Sequence, residues 1–162
     1  PRGSGKEFQR SDVPLEYRKA VVLREGCDIT IIGVGTMVTE ALKAAELLEQ
    51  EGISSEVINP RFLRPVDDVT ILNSAQKTGK VVIVQDVIEN GGFGSFITEL
   101  LYDKLPGKIR VLNLGLPDIG IEHGERSLIL RKYGLDAPGI RTGILKEFGF
   151  PKAEDGNVQG KA

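Results

Sequence analysis

The stretch "DITIIGVGTMVTEALKAAELLEQEGISSEVINP" (residues 28–60) indicates the fold class, because it predicts a strand, a helix and a strand in succession. Its first part, DITIIGVG (28–35), becomes apolar on both faces toward its end, which is typical of a buried parallel strand. The following residues place apolar side chains at the three-four spacing of one buried helix face, namely at Val38, Ala41, Leu42, Ala45 and Leu48. Gly52 ends this helix, and SSEVINP (54–60) predicts the next strand.

The same alternation continues on both sides of this unit. Three further strands are predicted, at AVVLRE (20–25), KVVIVQD (80–86) and KIRVLNLG (108–115). Further helices are predicted over about 67–77, after the glycine-rich ENGGFGS (89–95), and over about 125–133 and 138–148. Strands that alternate with helices predict crossover connections and a parallel sheet with helices on both faces.

The first predicted strand connects to the second in a different way. Only a short turn around Gly26 separates the two, which is too few residues for a crossover, so the first strand is expected to run antiparallel at an edge. The predicted architecture is a three-layer α/β domain with a mostly parallel five-stranded sheet and one antiparallel edge strand. Ligands of such sheets gather at the carboxyl ends of the strands, here residues 33–36, 59–61, 85–86 and 113–115.

The composition excludes several classes of function. The 162 residues are 40% hydrophobic and 27% charged with a net charge of −2, so nothing attracts the whole chain to nucleic acid or an anionic membrane. No apolar run approaches the roughly 20 residues of a membrane span. The length fits one domain, and we expect a linker over residues 1–18, a domain over 19–149 and a polar tail over 150–162.

A metal site built by this chain is not expected. Cys27 and His123 are the only cysteine and the only histidine, which excludes an internal disulfide and a multi-thiolate metal site. Cys27 opens a predicted strand and has no histidine near it in the sequence. A structural role for Cys27 is therefore favoured over a nucleophilic one.

Two glycine-rich turns could cradle an anion. GVGT (33–36) lies between a strand and a helix, where backbone amides can approach a phosphate. However, Val38 stands where the dinucleotide-binding motif has its third glycine, and the P-loop lysine is absent. A tight turn is favoured, with Thr36 capping the helix. At Gly91–Gly94 we favour close packing or an interface, with Phe93 packed inward or against a partner.

Arg61 and Arg64 lie in NPRFLRPVDD (59–68), where two prolines stiffen the backbone and could hold both side chains in fixed directions. Such arginines suit a carboxylate or phosphate partner. A salt bridge to Asp67, Asp68 or a neighbouring subunit is the favoured alternative.

The segment GLPDIGIEHG (115–124) contains a possible acid–base pair, Glu122 and His123. Adjacent residues on an extended backbone point in opposite directions, and no serine partner or orienting acid stands at an informative spacing. A well-packed loop leading into a helix is the favoured interpretation. The residues alone thus define an α/β domain without a complete catalytic constellation.

Taken in order, these motifs resemble a known family. The segments GVGTMVTEALKAAELLEQEGISSEVINPRFLRPVD (33–67) and GGFGS (91–95) are similar to the third domain of thiamine-diphosphate enzymes of the transketolase group. LGLPDIGIEHG (114–124) and YGLDAPGI (133–140) narrow the resemblance to the 1-deoxy-D-xylulose-5-phosphate synthase family. PRGSG (1–5) resembles the segment that leaves the middle domain of these enzymes, so the resemblance covers residues 1–149.

The resemblance implies that this chain is the C-terminal domain of a larger enzyme and is inactive alone. Members of the family condense pyruvate with glyceraldehyde 3-phosphate and release carbon dioxide. Thiamine diphosphate and Mg²⁺ are held between the first and middle domains, so this chain alone would bind neither. The domain would act in dimerisation and in closing the active site.

A single site residue is carried over from the family. Arg2, the arginine of the PRG segment, would bind the substrate phosphate, whereas His123 receives no catalytic role. The implied partners are the missing N-terminal and middle domains and a second copy of the enzyme. The implied compartment is the cytoplasm, or a plastid if the source is a plant or alga.

Two departures from the family pattern and several alternatives remain. Gln85-Asp86 replaces the usual acidic pair, which weakens the expectation of a polar network at that strand end. EFQRSDVPLEYRKA (7–20) replaces a short glycine-lysine-glycine turn, which weakens the expectation of the edge strand. The alternatives are the equivalent domain of a transketolase or of a 2-oxoacid dehydrogenase β subunit, and a non-catalytic binding or assembly module of the same fold.

Overall fold

A five-stranded sheet forms the centre of the structure, a computed structural model that describes residues 15–150. The strand order is β1-β3-β2-β4-β5, and all neighbours are parallel except β1 and β3. The strands are β1 (Val21–Arg24), β2 (Ile29–Gly33), β3 (Ser55–Asn59), β4 (Lys80–Ile88) and β5 (Arg110–Leu116). This arrangement confirms the predicted mostly parallel sheet with one antiparallel edge strand.

Five helices cover the two faces of the sheet, which makes the domain three layers thick. They are α1 (Met37–Glu49), α2 (Asp68–Thr78), α3 (Phe93–Lys104), α4 (Arg126–Lys132) and α5 (Ala137–Phe148). Helices α1, α4 and α5 pack on one face, and α2 and α3 pack on the other. All five confirm the predicted helices to within a few residues. Within residues 15–150, none of the helices has the length and hydrophobicity needed to cross a membrane. The proposed boundaries of the linker, domain and tail stay a prediction.

The alternation of side chains along β2 builds two separate hydrophobic cores. Ile29 and Ile31 face the first core, under α1 and α5, and Ile32 faces the second core, under α2 and α3. All three side chains are fully buried. Because both faces of the strand are covered, β2 has the continuous apolar character of a buried parallel strand.

The partner of β1 is β3 and not the next strand along the chain. Val21 pairs with Asn59 and Val22 with Ile58, so β3 lies between β1 and β2. The turn at Gly26 therefore carries the chain across the start of β3. A side chain at Gly26 would overlap the backbone of Ser55 and Glu56, and only glycine permits this close crossing.

A cluster of buried hydroxyl groups interrupts the otherwise apolar second core. The Thr30 hydroxyl on β2 forms hydrogen bonds with the hydroxyls of Ser74, at 2.6 Å, and Thr78, at 2.9 Å, both on α2. All three residues are buried, and the hydrogen bonds offset the cost of removing their hydroxyls from water.

A charged pair lies beside this cluster. Lys77 on α2 donates a hydrogen bond to the carboxylate of Glu56, a β3 residue that is only 2% exposed. Burial acts to raise the pKa of Glu56, but hydrogen bonds from Lys77 and Ser74 outweigh it and hold the pKa below its usual value. The same hydrogen bond raises the pKa of Lys77. Glu56 therefore stays charged although it is buried.

Candidate functional site

Strands β2, β3, β4 and β5 are parallel and end at one side of the sheet, which we call the carboxyl edge. After β2 the chain continues to β3 on one side of the β2–β4 pair, whereas after β4 it continues to β5 on the other side. The crevice at such a switch point is the usual ligand site of open α/β sheets. All four predicted strand ends lie at this edge, and those at residues 33–36, 85–86 and 113–115 lie nearest the switch point.

Strand β4 is irregular where it reaches the carboxyl edge. Val84 pairs with Leu114 and Ile88 pairs with Leu116, so four residue steps on β4 lie opposite two on β5. Such bulges redirect side chains and are frequent beside functional sites. Gln85 and Asp86 lie inside the irregular stretch and make contacts with different parts of the domain.

The Gln85 side chain is fully buried and joins β4 to α3 and β5. Its Oε1 accepts a hydrogen bond from the Gly94 amide at 3.0 Å. Its Nε2 donates toward the carbonyls of Ile88, at 3.4 Å, and Glu89, at 3.5 Å, and toward Asn113 Oδ1 at 3.4 Å. A polar network is thus present at this strand end, and a neutral carboxamide forms its centre.

Asp86 belongs to a second group, which we call the Arg126 latch and define as Thr36, Asp86 and Arg126. Arg126 Nη2 donates to Asp86 Oδ2 at 2.9 Å and to the Thr36 hydroxyl at 2.6 Å. The Thr36 hydroxyl lies 3.3 Å from Asp86 Oδ2 and donates to it. The latch therefore joins the end of β4, the start of α1 and the start of α4. Sequence reasoning did not identify Arg126, although an arginine in the first turn of a predicted helix is an unusual feature.

The predicted helix cap at Thr36 is wrong, because its hydroxyl is engaged in the latch and makes no cap hydrogen bond. The first amides of α1 instead donate to carbonyls of the preceding turn, from Met37 to Val34 at 3.0 Å and from Val38 to Gly35 at 3.3 Å. These amides already have partners, which supports the tight-turn interpretation of GVGT over an anion cradle.

Gly94 confirms the close-packing interpretation of the second glycine-rich turn. A side chain at this position would overlap the carboxamide of Asn113 on β5. Phe93, which precedes it, packs inward against the second core.

Glu122 and His123 do not act as a pair. Glu122 accepts a hydrogen bond from Lys132 at 3.2 Å, and this contact raises the pKa of Lys132. Among the described residues, His123 has no hydrogen-bonded or ionic side-chain partner, but it lines a cleft of about 320 Å³ together with Asp86 and Arg126. The expectation of a well-packed loop is wrong, because residues 118–120 and 122–125 are exposed and lie outside both cores.

Arg64 has an aromatic partner that can orient its side chain. Its guanidinium lies 4.3 Å from the ring centroid of Phe96. The expected salt bridge to Asp67 or Asp68 is wrong, since among residues 15–150 neither Arg64 nor Arg61 forms an ion pair with them.

Asp67 has other partners, which explains the missing salt bridge. Its carboxylate accepts hydrogen bonds from the amide and the hydroxyl of Thr70 and from the amide of Ala20. Burial acts to raise the pKa of Asp67, but these hydrogen bonds outweigh it and lower the pKa. A phosphate or carboxylate partner for the arginines stays a prediction.

The described residues do not fit a magnesium-diphosphate site. Within residues 15–150, no group of three His, Cys, Asp or Glu side chains is placed to hold a metal ion. At the carboxyl edge, Asp86 is paired with Arg126. Cys27 is exposed at the turn before β2, and Arg2 lies outside the described residues.

Comparison with known proteins identifies the family. Residues 18–140 match the C-terminal domain of transketolase, and the chain belongs to the transketolase C-terminal domain family. Its curated relatives include 1-deoxy-D-xylulose-5-phosphate synthases, which confirms the resemblance inferred from the motifs. The enzyme of Desulforudis audaxviator is 44% identical over 137 residues, which are 83% of this chain and 22% of that protein. The Geobacter metallireducens enzyme is 41% identical over 146 residues, 89% of this chain and 23% of that protein.

A solved structure shares the fold. A chain described as "split gene transketolase, inactive beta4 tetramer" superposes with a TM-score of 0.81 at 34% identity, over 91% of this chain and 47% of that one. This chain spans less than a quarter of the length of the two synthases described above, the enzymes of Desulforudis audaxviator and Geobacter metallireducens.

Proposed function

We propose that this chain is the C-terminal domain of a 1-deoxy-D-xylulose-5-phosphate synthase. The complete enzyme would condense pyruvate with glyceraldehyde 3-phosphate to 1-deoxy-D-xylulose 5-phosphate and carbon dioxide. The observation that carries this proposal is the 41–44% identity to such synthases over 83–89% of the chain. Thiamine diphosphate and Mg²⁺ would be bound by the preceding domains, because the described residues offer no fitting site for them.

The role proposed for this domain is to close one side of the active site and to contribute to a homodimer. The carboxyl edge supports this role, since Val87, Ile88 and Ile119 are 50%, 45% and 63% exposed there. Apolar side chains grouped at one edge are typical of a surface that another protein segment covers.

An exchange of domains tests the proposed activity. The matching region of the Desulforudis audaxviator synthase is replaced with residues 1–149 of this chain, and product formation from pyruvate and glyceraldehyde 3-phosphate is measured with both cofactors present. We expect kcat/KM within about tenfold of the parent enzyme, and a control chimaera with the matching transketolase region should be slower. A folded chimaera that forms no product would refute the proposal.

Arg2 is proposed to bind the phosphate of glyceraldehyde 3-phosphate. In the same chimaera, Arg2→Ala should raise the KM for glyceraldehyde 3-phosphate about tenfold or more, because a guanidinium contact to a phosphate dianion is lost. The KM for pyruvate should change little. Equal changes in both constants would contradict the phosphate-binding role.

A non-catalytic assembly module is the second candidate. The structurally similar transketolase chain is itself described as an inactive tetramer, so this fold can assemble without activity in that protein. The same domain exchange separates the two candidates, since an assembly module would not restore synthesis.

A further inference from the structure

The loop between β5 and α4 has little backbone support. The loop spans residues 117–125, and within the described part of the chain its residues 117–124 make a single backbone hydrogen bond, from Ile119 to Pro117. Strand pairing ends just before it, where the Glu89 amide donates to the Leu116 carbonyl at 2.9 Å. The position of this loop therefore depends on side-chain contacts near its ends.

The Arg126 latch is the contact that ties this loop to the sheet. Arg126 follows the loop directly, and its partners Asp86 and Thr36 lie 40 and 90 residues away in the sequence. Its Nη2 also lies 3.5 Å from Met37 Sδ, in the first turn of α1. The other ion pair of the loop, Glu122–Lys132, joins it only to α4 and is more exposed.

The charge of Arg126 does not stabilise α4, the helix that it begins. Arg126 is the first residue of α4, where a positive charge opposes the helix dipole, and the favourable negative charge at this helix end is that of Glu125 at the N-cap. The Asp86–Arg126 pair is also 36% and 46% exposed, and pairs of this kind stabilise a fold by at most about 1 kcal/mol. Neither helix stability nor fold stability accounts for the arrangement.

We propose that Arg126 is a positioning residue that holds the loop of residues 117–125 in one conformation over the carboxyl edge. This loop carries Glu122 and His123 and forms a wall of the cleft beside Asp86. The assignment of this wall to the active site rests on the proposed function, whereas the effect of Arg126 on the loop does not.

Backbone ¹⁵N relaxation of the whole 162-residue chain tests the structural part. Arg126→Met keeps the unbranched stem of the side chain and removes its donors. We expect the amide order parameters of residues 118–125 to fall from about 0.85 to below about 0.6, with β2 and β4 unchanged. Asp86→Ala should do the same, the double variant should add little to either, and Arg126→Lys should recover part of the order. Arg131→Met, an exposed residue of the same helix, is the matched control.

Three relaxation results would overturn the proposal. The order parameters of the loop could be equal in Arg126→Met and in the Arg131→Met control. Asp86→Ala could leave the loop unchanged while the chain stays folded. Both latch variants could lower the order parameters throughout the sheet, in which case the latch stabilises the fold and does not position the loop.

Kinetics in the active chimaera tests the positioning role. Arg126→Met should lower kcat about tenfold while the KM for pyruvate stays within about twofold, because a displaced wall impairs the geometry of reaction more than binding. Arg126→Lys should restore part of kcat. Unchanged kcat, despite lower order parameters in the loop, would overturn the role in the active site. An inactive unmodified chimaera would refute the proposed function and leave the relaxation result standing.

Discussion

Replacing Gly26 with alanine should lower the free energy of unfolding by about 3 kcal/mol or more. The turn between β1 and β2 crosses the backbone of β3 at Ser55 and Glu56, and an added methyl group would overlap that backbone. Neither side can retreat easily, since β3 is paired on both sides and Ser55 and Glu56 are buried. The measurement is urea-induced unfolding of the 162-residue chain, followed by circular dichroism.

Gly120→Ala is the matched control. No atom lies within 4 Å of a methyl group added at Gly120, so the free energy of unfolding should change by no more than about 0.5 kcal/mol. If Gly26→Ala were as stable as Gly120→Ala, the turn at Gly26 would not pass this close to β3, and the observed strand order would be wrong at this edge.

Gln85→Glu should destabilise the domain by about 2 kcal/mol at neutral pH. The Gln85 carboxamide donates toward three oxygen atoms, those of Ile88, Glu89 and Asn113, and a carboxylate in its place would have no proton to donate. The Gly94 amide at the start of α3 would still favour a negative charge, which offsets part of the cost. The substitution is informative because it changes the hydrogen bonding of the side chain while leaving its size nearly unchanged.

The effect of Gln85→Glu should depend on pH. A buried carboxyl group that faces acceptors keeps its proton, so its pKa in the folded state should lie above the unfolded value of about 4.3. The penalty should therefore be small near pH 4, grow as the pH rises through the folded pKa, and then remain constant. The exposed Gln76→Glu on α2 is the control for the same chemical change. A penalty for Gln85→Glu that is equal at about pH 4.5 and pH 7.5 would contradict this account.

The sequence predicted the layers of the fold because local patterns encode them. Apolar spacing in 28–60 correctly placed β2, α1 and β3, and the Gly26 turn correctly predicted an antiparallel edge strand. The sequence could not indicate which strand pairs with β1. A tight turn has the same sequence features whether the chain pairs with the next strand or passes over a later one. The crossing becomes visible only when β3 is in place.

The candidate site was less predictable because its contacts join distant positions. The sequence placed Gln85 and Asn113 at neighbouring strand ends, where they contact each other, but Thr36 was assigned to the helix beside it in sequence. Its hydroxyl instead binds Arg126, 90 residues away, which no local preference could indicate. His123 drew interest because it is the only histidine. Arg126, which lines the same cleft, has more polar contacts, since it donates to Thr36 and Asp86 and lies beside Met37 Sδ.

The buried hydroxyl cluster of Thr30, Ser74 and Thr78 does more to align α2 on the sheet than to stabilise the fold. Purely apolar layers tolerate small slides of a helix along a sheet, because one methyl group can replace another at little cost. Ser74 and Thr78 lie one turn apart on α2, so a slide of the helix by one turn would leave Thr30 with only one of its two hydrogen bonds to α2, at a cost of about 0.5–1.5 kcal/mol. The cluster therefore selects one alignment of α2 on the sheet among several that the hydrophobic side chains would accept. Through α2, it also fixes where the loop with Arg61 and Arg64 meets the rest of the domain.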